Sequence, residues 1–193
     1  MGTVKVTNIE PIADNGTLTI GNSGDTIALT SGAKTSGFGK IGQVKQTVKT
    51  DSFTTTSSSY VDITGFSVSI TPTSTSSKIL VMVTIGALAN SGASGSIVNL
   101  VRGTTTIVSN SAGGATDTYD AWLVSGGQTY TNNNRFHRAG VINYLDSPAS
   151  TSALTYKCQL RTVSGSSTAY FNRWGVNEDQ AGVSSITVQE ILD

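Results

Sequence analysis

The side chain best suited to catalysis is the single histidine, His137, in Arg135-Phe136-His137-Arg138. A Ser-His-Asp triad would have to use it. The two flanking arginines disfavour its protonation, and Gly92-Ala93-Ser94-Gly95 lacks the spacing of a nucleophile elbow. A histidine at a loop edge or an interface is the better reading. Glycoside hydrolysis needs two carboxyl groups facing one bond. The only glutamates are Glu10, Glu178 and Glu190. Asp117 with Asp120, and Glu178 with Asp179, are close in sequence and read as solvated loop charge or as a weak calcium site made of oxygens, but neither pair meets a calcium-loop spacing. Gly113-Gly114 and Gly126-Gly127 match no phosphate-binding pattern and no helix follows them. Cys158 is the sole cysteine, which excludes an internal disulfide framework and a Cys-rich zinc site. Tyr156, Lys157, Gln159 and Leu160 alternate around it, so it reads as a small buried hydrophobe on a strand. No catalytic residue, no cofactor and no metal site is expected.

The aromatic side chains carry more information. Alternation predicts Trp122 and Tyr144 in the core, whereas Tyr130, Phe136 and Trp174 fall in polar loops or at strand ends. A loop aromatic can stack on a sugar face or anchor an interface, so these three are the candidate glycan or subunit contacts. Ser and Thr supply 55 of 193 residues, while only 12% are charged, about half the usual share. Disorder does not account for this, because Val, Ile and Thr alternate over long stretches. Thr suits strands, its branched β-carbon lying on the pleat and its hydroxyl facing water. Net charge is zero and no Lys/Arg cluster exists, so nucleic acid is not an expected partner. Met1 to Glu10 has no apolar core region of a signal peptide. The apolar run Ile79 to Val83 is too short to span a membrane, so no membrane partner is expected either.

The elements that must position these residues fall into two parts, 1–42 and 43–193. In the first, Leu18-Thr19-Ile20 and Ile27-Ala28-Leu29 flank the turn Gly21-Asn22-Ser23-Gly24-Asp25. Leu18 and Ile27 are nine apart, as are Ile20 and Leu29, which makes a two-copy β repeat. Neither copy can bury its apolar face alone, so the main domain (on which the two could dock as a simple hairpin), copies from sister subunits or a partner protein must cover it. Leu18, Ile20, Ile27 and Leu29 are therefore the candidate oligomer and attachment residues, covered by mutual packing in a homotrimer.

In the second part, Val61, Ile63, Phe66, Val68 and Ile70 alternate with one slip at Thr64-Gly65, which predicts a bulge. The uninterrupted run Ile79 to Ile85 predicts a central strand buried on both faces. Ile97 to Leu100 and Thr106 to Val108 flank a hairpin turn at Arg102-Gly103-Thr104. Ala139 to Leu145 and Ala153 to Arg161 read as a strand pair across Asp146-Ser147-Pro148. Ile186 to Ile191 reads as a last strand inserted in the sheet. No window makes an amphipathic helix. The fold class expected is all-β: a two-sheet antiparallel sandwich, jelly-roll-like, behind the short N-terminal β repeat.

Several stretches carry a family likeness: Gln46-Thr47-Val48-Lys49-Thr50-Asp51-Ser52-Phe53, Tyr60-Val61-Asp62-Ile63-Thr64-Gly65-Phe66, Ser76-Ser77-Lys78-Ile79-Leu80-Val81 and the ending Ser185-Ile186-Thr187-Val188-Gln189-Glu190-Ile191. Together they resemble bacteriophage virion appendage proteins of the tail-fibre-like kind. The resemblance implies a trimer-forming β-sandwich on an N-terminal attachment segment, at the virion surface, with no catalytic residues. Two roles fit. One is a capsid-decorating protein (cement, knob or short head fibre) whose partner is the major capsid protein. The other is a short tail fibre or receptor-binding protein, joined to tail proteins and touching host surface glycans. The two-rung N-terminal segment is short for a shaft and favours decoration.

Overall fold

In the computed structural model the described residues are 41–91, 95–108, 123–125, 138–173 and 181–192, with backbone alone for 123–125 and 138. They form strands and no helix: β1 (Ile41–Lys49), β2 (Phe53–Thr55), β3 (Val61–Ile70), β4 (Lys78–Asn90), β5 (Ser96–Arg102), β6 (Thr105–Val108), β7 (Leu123–Ser125), β8 (Arg138–Asp146), β9 (Leu154–Thr162), β10 (Ala169–Phe171) and β11 (Ser184–Ile191). All the pairings are antiparallel, in two sheets.

The long strand β4 is the spine of the first sheet. β8 bonds to one side of it. On its other side β11 covers Lys78–Thr84 and β10 covers Leu88–Asn90. Beyond these lie β1 against β11 and β2 against β10. The pairs β1/β2 and β11/β10 are thus two interrupted columns. The second sheet runs β3-β9-β5-β6, with β7 also on β5. Ile79, Val81, Val83 and Ile85 of β4, with Ile186 and Val188 of β11, face Phe66, Leu100, Tyr156 and Leu160 across the core. The Phe66 and Phe171 rings meet at 5.1 Å between centroids, inclined at 52°. An inclined contact of this kind suits the ring quadrupoles. Cys158 is fully buried in this core, and Tyr144 packs against it from β8.

The bulge in β3 is present. Its register against β9 shifts between Asp62 and Ser67, and Gly65 has φ 75°. The shift reverses the parity of the strand, so Ile63 and Phe66 both point inward. Glycine serves here because a side chain rarely adopts that φ. The β5–β6 turn uses Gly103 at φ 59° for the same reason. The closing strand β11 is inserted between β1 and β4, as its alternation requires.

Two expectations are corrected. β8 and β9 do not pair: β8 bonds to β4 and β9 to β3 and β5, so the Asp146–Ser147–Pro148 connection crosses from one sheet to the other. Sequence proximity suggested a hairpin, but each strand finds a better-matched partner in its own layer. β4 is central, yet only one of its faces is buried throughout. Leu80 and Met82 are half-buried and Thr84 is exposed. The strand with both faces buried is β5, where Ser96 to Val101 are all inaccessible. The N-terminal repeat with Leu18, Ile20, Ile27 and Leu29 lies outside the described residues.

Candidate functional site

The buried polar groups hold strands together. Glu190 continues the inward series Ile186, Val188 of β11 and is fully buried. Its Oε1 accepts the Thr73 N–H at 2.6 Å and the Thr73 hydroxyl at 2.7 Å, and its Oε2 accepts Gln43 Nε2 at 2.8 Å. Gln43 Nε2 also donates to the Thr71 carbonyl at 2.7 Å. One carboxylate therefore ties β1 and the β3–β4 turn to the closing strand. Burial works to raise its pKa, but the bonds from Gln43 and Thr73 outweigh burial and hold it below the ordinary value.

A second cluster ties the two sheets. Asp146, ending β8, accepts the Tyr156 hydroxyl at 2.7 Å and Arg102 Nη1 at 2.5 Å through the same oxygen. Burial, then Asp146, pushes the Tyr156 hydroxyl far up, so it stays a donor. A third cluster closes the neck of the excursion between β10 and β11. Asn172, fully buried at φ 58°, donates through Nδ2 to the Lys49 and Asp51 carbonyls and accepts the Ser184 hydroxyl. Its N–H bonds to the Ala87 carbonyl, and its own carbonyl accepts the Gly182 N–H. Gly86 allows the chains to cross: a Cβ there would lie 2.4 Å from the Val183 carbonyl oxygen. Asparagine tolerates the left-handed conformation better than most residues.

Asp51, whose partner is Lys49, and Asp62, bonded by Lys157 and Gln159, are like Glu190 held below the usual carboxylate range. A general acid would need the opposite shift. Among the described residues no group of three or more His, Cys, Asp or Glu could hold a metal ion. His137, Tyr130, Phe136, Trp174, Trp122, Asp117, Asp120, Glu178 and Asp179 lie outside the described residues. Trp174 follows Arg173, whose guanidinium stands 4.7 Å over the Tyr170 ring at the excursion's neck.

What the described part turns outward is the far face of the first sheet. Cross-strand register sets Val44, Gln189, Leu80 and Leu145 in one row, and Val48, Ser185, Thr84 and Val141 in another. Between them run Gln46, Thr187, Met82 and Asn143, with Gln46 Nε2 bonded to Thr187 Oγ1 at 2.8 Å. None of the twelve is charged. The exposed aliphatics Ile41, Val44, Val48, Val141 and Leu145 all lie on this side. Sequence reasoning did not single it out. The available signal was the alternation Val44-Lys45-Gln46-Thr47-Val48-Lys49, in which the valines share the outer face and the lysines the opposite one, with Lys49 buried and Lys45 exposed. The inner side of β1 lies over the β3 bulge, where Thr47 Oγ1 donates to the Ser67 carbonyl at 2.7 Å and the buried Lys49 pairs with Asp51.

No protein-family model matches the chain, and no curated protein is found to be similar to it. The likeness to phage appendage proteins therefore stands on the sequence motifs alone.

Proposed function

We propose that this chain is a non-enzymatic structural protein of a bacteriophage virion: a homotrimeric capsid-decorating protein attached to the head through residues 1–42. The observation that carries the reading is how the described ionisable and apolar groups are used. Carboxylates are committed to joining strands, and the outer face of the first sheet carries five exposed aliphatics around three uncharged rows. Such a molecule is suited to being packed against other proteins rather than to turning over a substrate. The sequence likeness supplies the setting, and the short N-terminal repeat favours the head over a long tail shaft.

Gold-conjugated antibody against the chain, imaged on purified particles, tests the assignment. Label on the head is the expected result. Label at the tail tip would replace it with the short tail fibre or receptor-binding reading, in which host surface glycans are the partner. Particles without label would overturn the virion assignment. A glycan depolymerisation assay with the purified chain should give no cleavage.

A further inference from the structure

We propose that the outer face of the first sheet is the surface through which copies of this chain bind one another, the occupant of the face being a second copy. The inference deepens the structural reading above by naming the self-association surface, and it uses none of the residues of the N-terminal repeat.

Three observations carry it. First, the exposed aliphatics are concentrated. Ile41, Val44, Val48, Val141 and Leu145 are 49–65% exposed, all on one face, while the remaining two among the described residues, Val163 and Val183, lie outside the strands. Exposed aliphatics scattered singly are ordinary, but a contiguous patch of a few hundred Å² on a soluble chain is often a contact site. Second, the face has the size of a small interface. Four strands about 4.8 Å apart, with three rows about 6.8 Å apart, give a projected face of roughly 400 Å². That is half of the roughly 800 Å² each partner contributes to a standard interface, before side-chain relief and the bordering row Ile41, Ile191 and Lys78 are added. Third, the electrostatics select the occupant. The three rows hold no charge, so a partner presenting ions would strip them of water with nothing to pair against. The chain's own outer face, with the adjoining uncharged β8 edge from Ala139 to Leu145, is a surface that meets this condition. With no net charge on the chain, copies approach without repulsion.

Sedimentation velocity on the full chain at micromolar concentration tests this, with the parent beside Val141→Lys, Val48→Lys and the control Thr64→Lys. Val141 and Val48 are exposed in the single chain at opposite edges of the face, and Thr64 is exposed on the other sheet. The parent and Thr64→Lys should sediment at two or more times the 19.9 kDa chain mass, and the two valine variants at the chain mass with an unchanged far-UV circular dichroism spectrum. A parent that sediments as a single chain overturns the proposal, since the face is then left for a different partner. Valine variants that assemble like the parent overturn it too, since copies then meet elsewhere. If one variant does not fold, the other decides. The result does not depend on where the protein sits on a particle, so it and the labelling experiment can fail separately.

Discussion

Replacing Glu190 by Gln should cost far more than the loss of one charge at a surface. In the parent, Oε1 receives two donors from Thr73 and Oε2 receives one from Gln43. The amide has a single oxygen. If that oxygen stays on Thr73, the new NH2 points at the NH2 of Gln43. Gln43 cannot relieve this by turning its own amide over, because the same nitrogen bonds the Thr71 carbonyl, and the flip would set oxygen against oxygen. A hydrogen bond to a charged group contributes about 1.5–3 kcal/mol and a neutral one about 0.5–1.5. Two bonds weakened by about 1 kcal/mol each, plus one donor left buried and unpaired at about 1–3 kcal/mol, come to roughly 3–5 kcal/mol. For a chain of this length about 1 kcal/mol moves Tm by roughly 2–4 °C, so a drop of about 6–20 °C is expected at pH 7.

The pH dependence follows in sign. Glu190 is held below its ordinary value of 4.5, so its stabilisation is fully present above that pH and is lost as pH falls through the depressed folded value. Melting curves of parent and variant should therefore be separated by a constant gap above about pH 5 and converge on further acidification. A variant melting within about 2 °C of the parent at pH 7, a shift worth under 1 kcal/mol, would refute the account of this cluster.

Other outcomes are equally specific. Val81→Asp, at a fully buried position, should abolish folding by far-UV circular dichroism because an unpaired carboxylate enters the core, whereas Met82→Lys, one residue on and facing outward, should leave the spectrum intact. Asn172→Gly keeps the left-handed backbone but loses the side-chain bonds, and urea titration should show a loss of about 1–3 kcal/mol. Asn172→Ala should be about 1 kcal/mol worse again, since it adds a Cβ at that φ. Gly86→Ala should destabilise by about 1–3 kcal/mol in the same titration, because the new methyl meets the Val183 backbone rather than a movable side chain.

The parts of the fold legible in the sequence are those where one residue type repeats at period two. Ile186 and Val188 gave the closing strand, and the slip between Ile63 and Phe66 gave the bulge. The partner of a strand was harder to read. β8 and β9 are neighbours in sequence and were read as a pair, but register with β4 depends on residues fifty or more positions away. The apolar run in β4 was read as burial on both sides. It is apolar on both sides, with Leu80 and Met82 on the open one. The role of Glu190 carried no signal, because composition does not show that an inward position is lined by Gln43 and Thr73 donors. Of the candidate site residues, Leu18, Ile20, Ile27, Leu29, Tyr130, Phe136 and Trp174 fall outside the described residues, so the part of the surface that can be argued from geometry is one the sequence reading had not named.

The cluster at Asn172 also decides where a pull on this part of the chain would be felt. Fourteen residue steps run from Phe171 to Ser185, while their partners on β4, Leu88 and Thr84, are four apart. On the exit side Asn172 bonds the Ala87 carbonyl through its N–H, and the Lys49 and Asp51 carbonyls through its amide. On the return side the Gly182 N–H bonds the Asn172 carbonyl, and the Ser184 hydroxyl donates to Asn172 Oδ1 while accepting the Gly86 N–H. Exit and return are thus fastened to each other as well as to β1 and β4. A force applied between Arg173 and Ala181 loads these bonds before it reaches the pairing of β10 or β11, so the cluster is a mechanical stop that keeps a tug at the surface from unzipping the sheet.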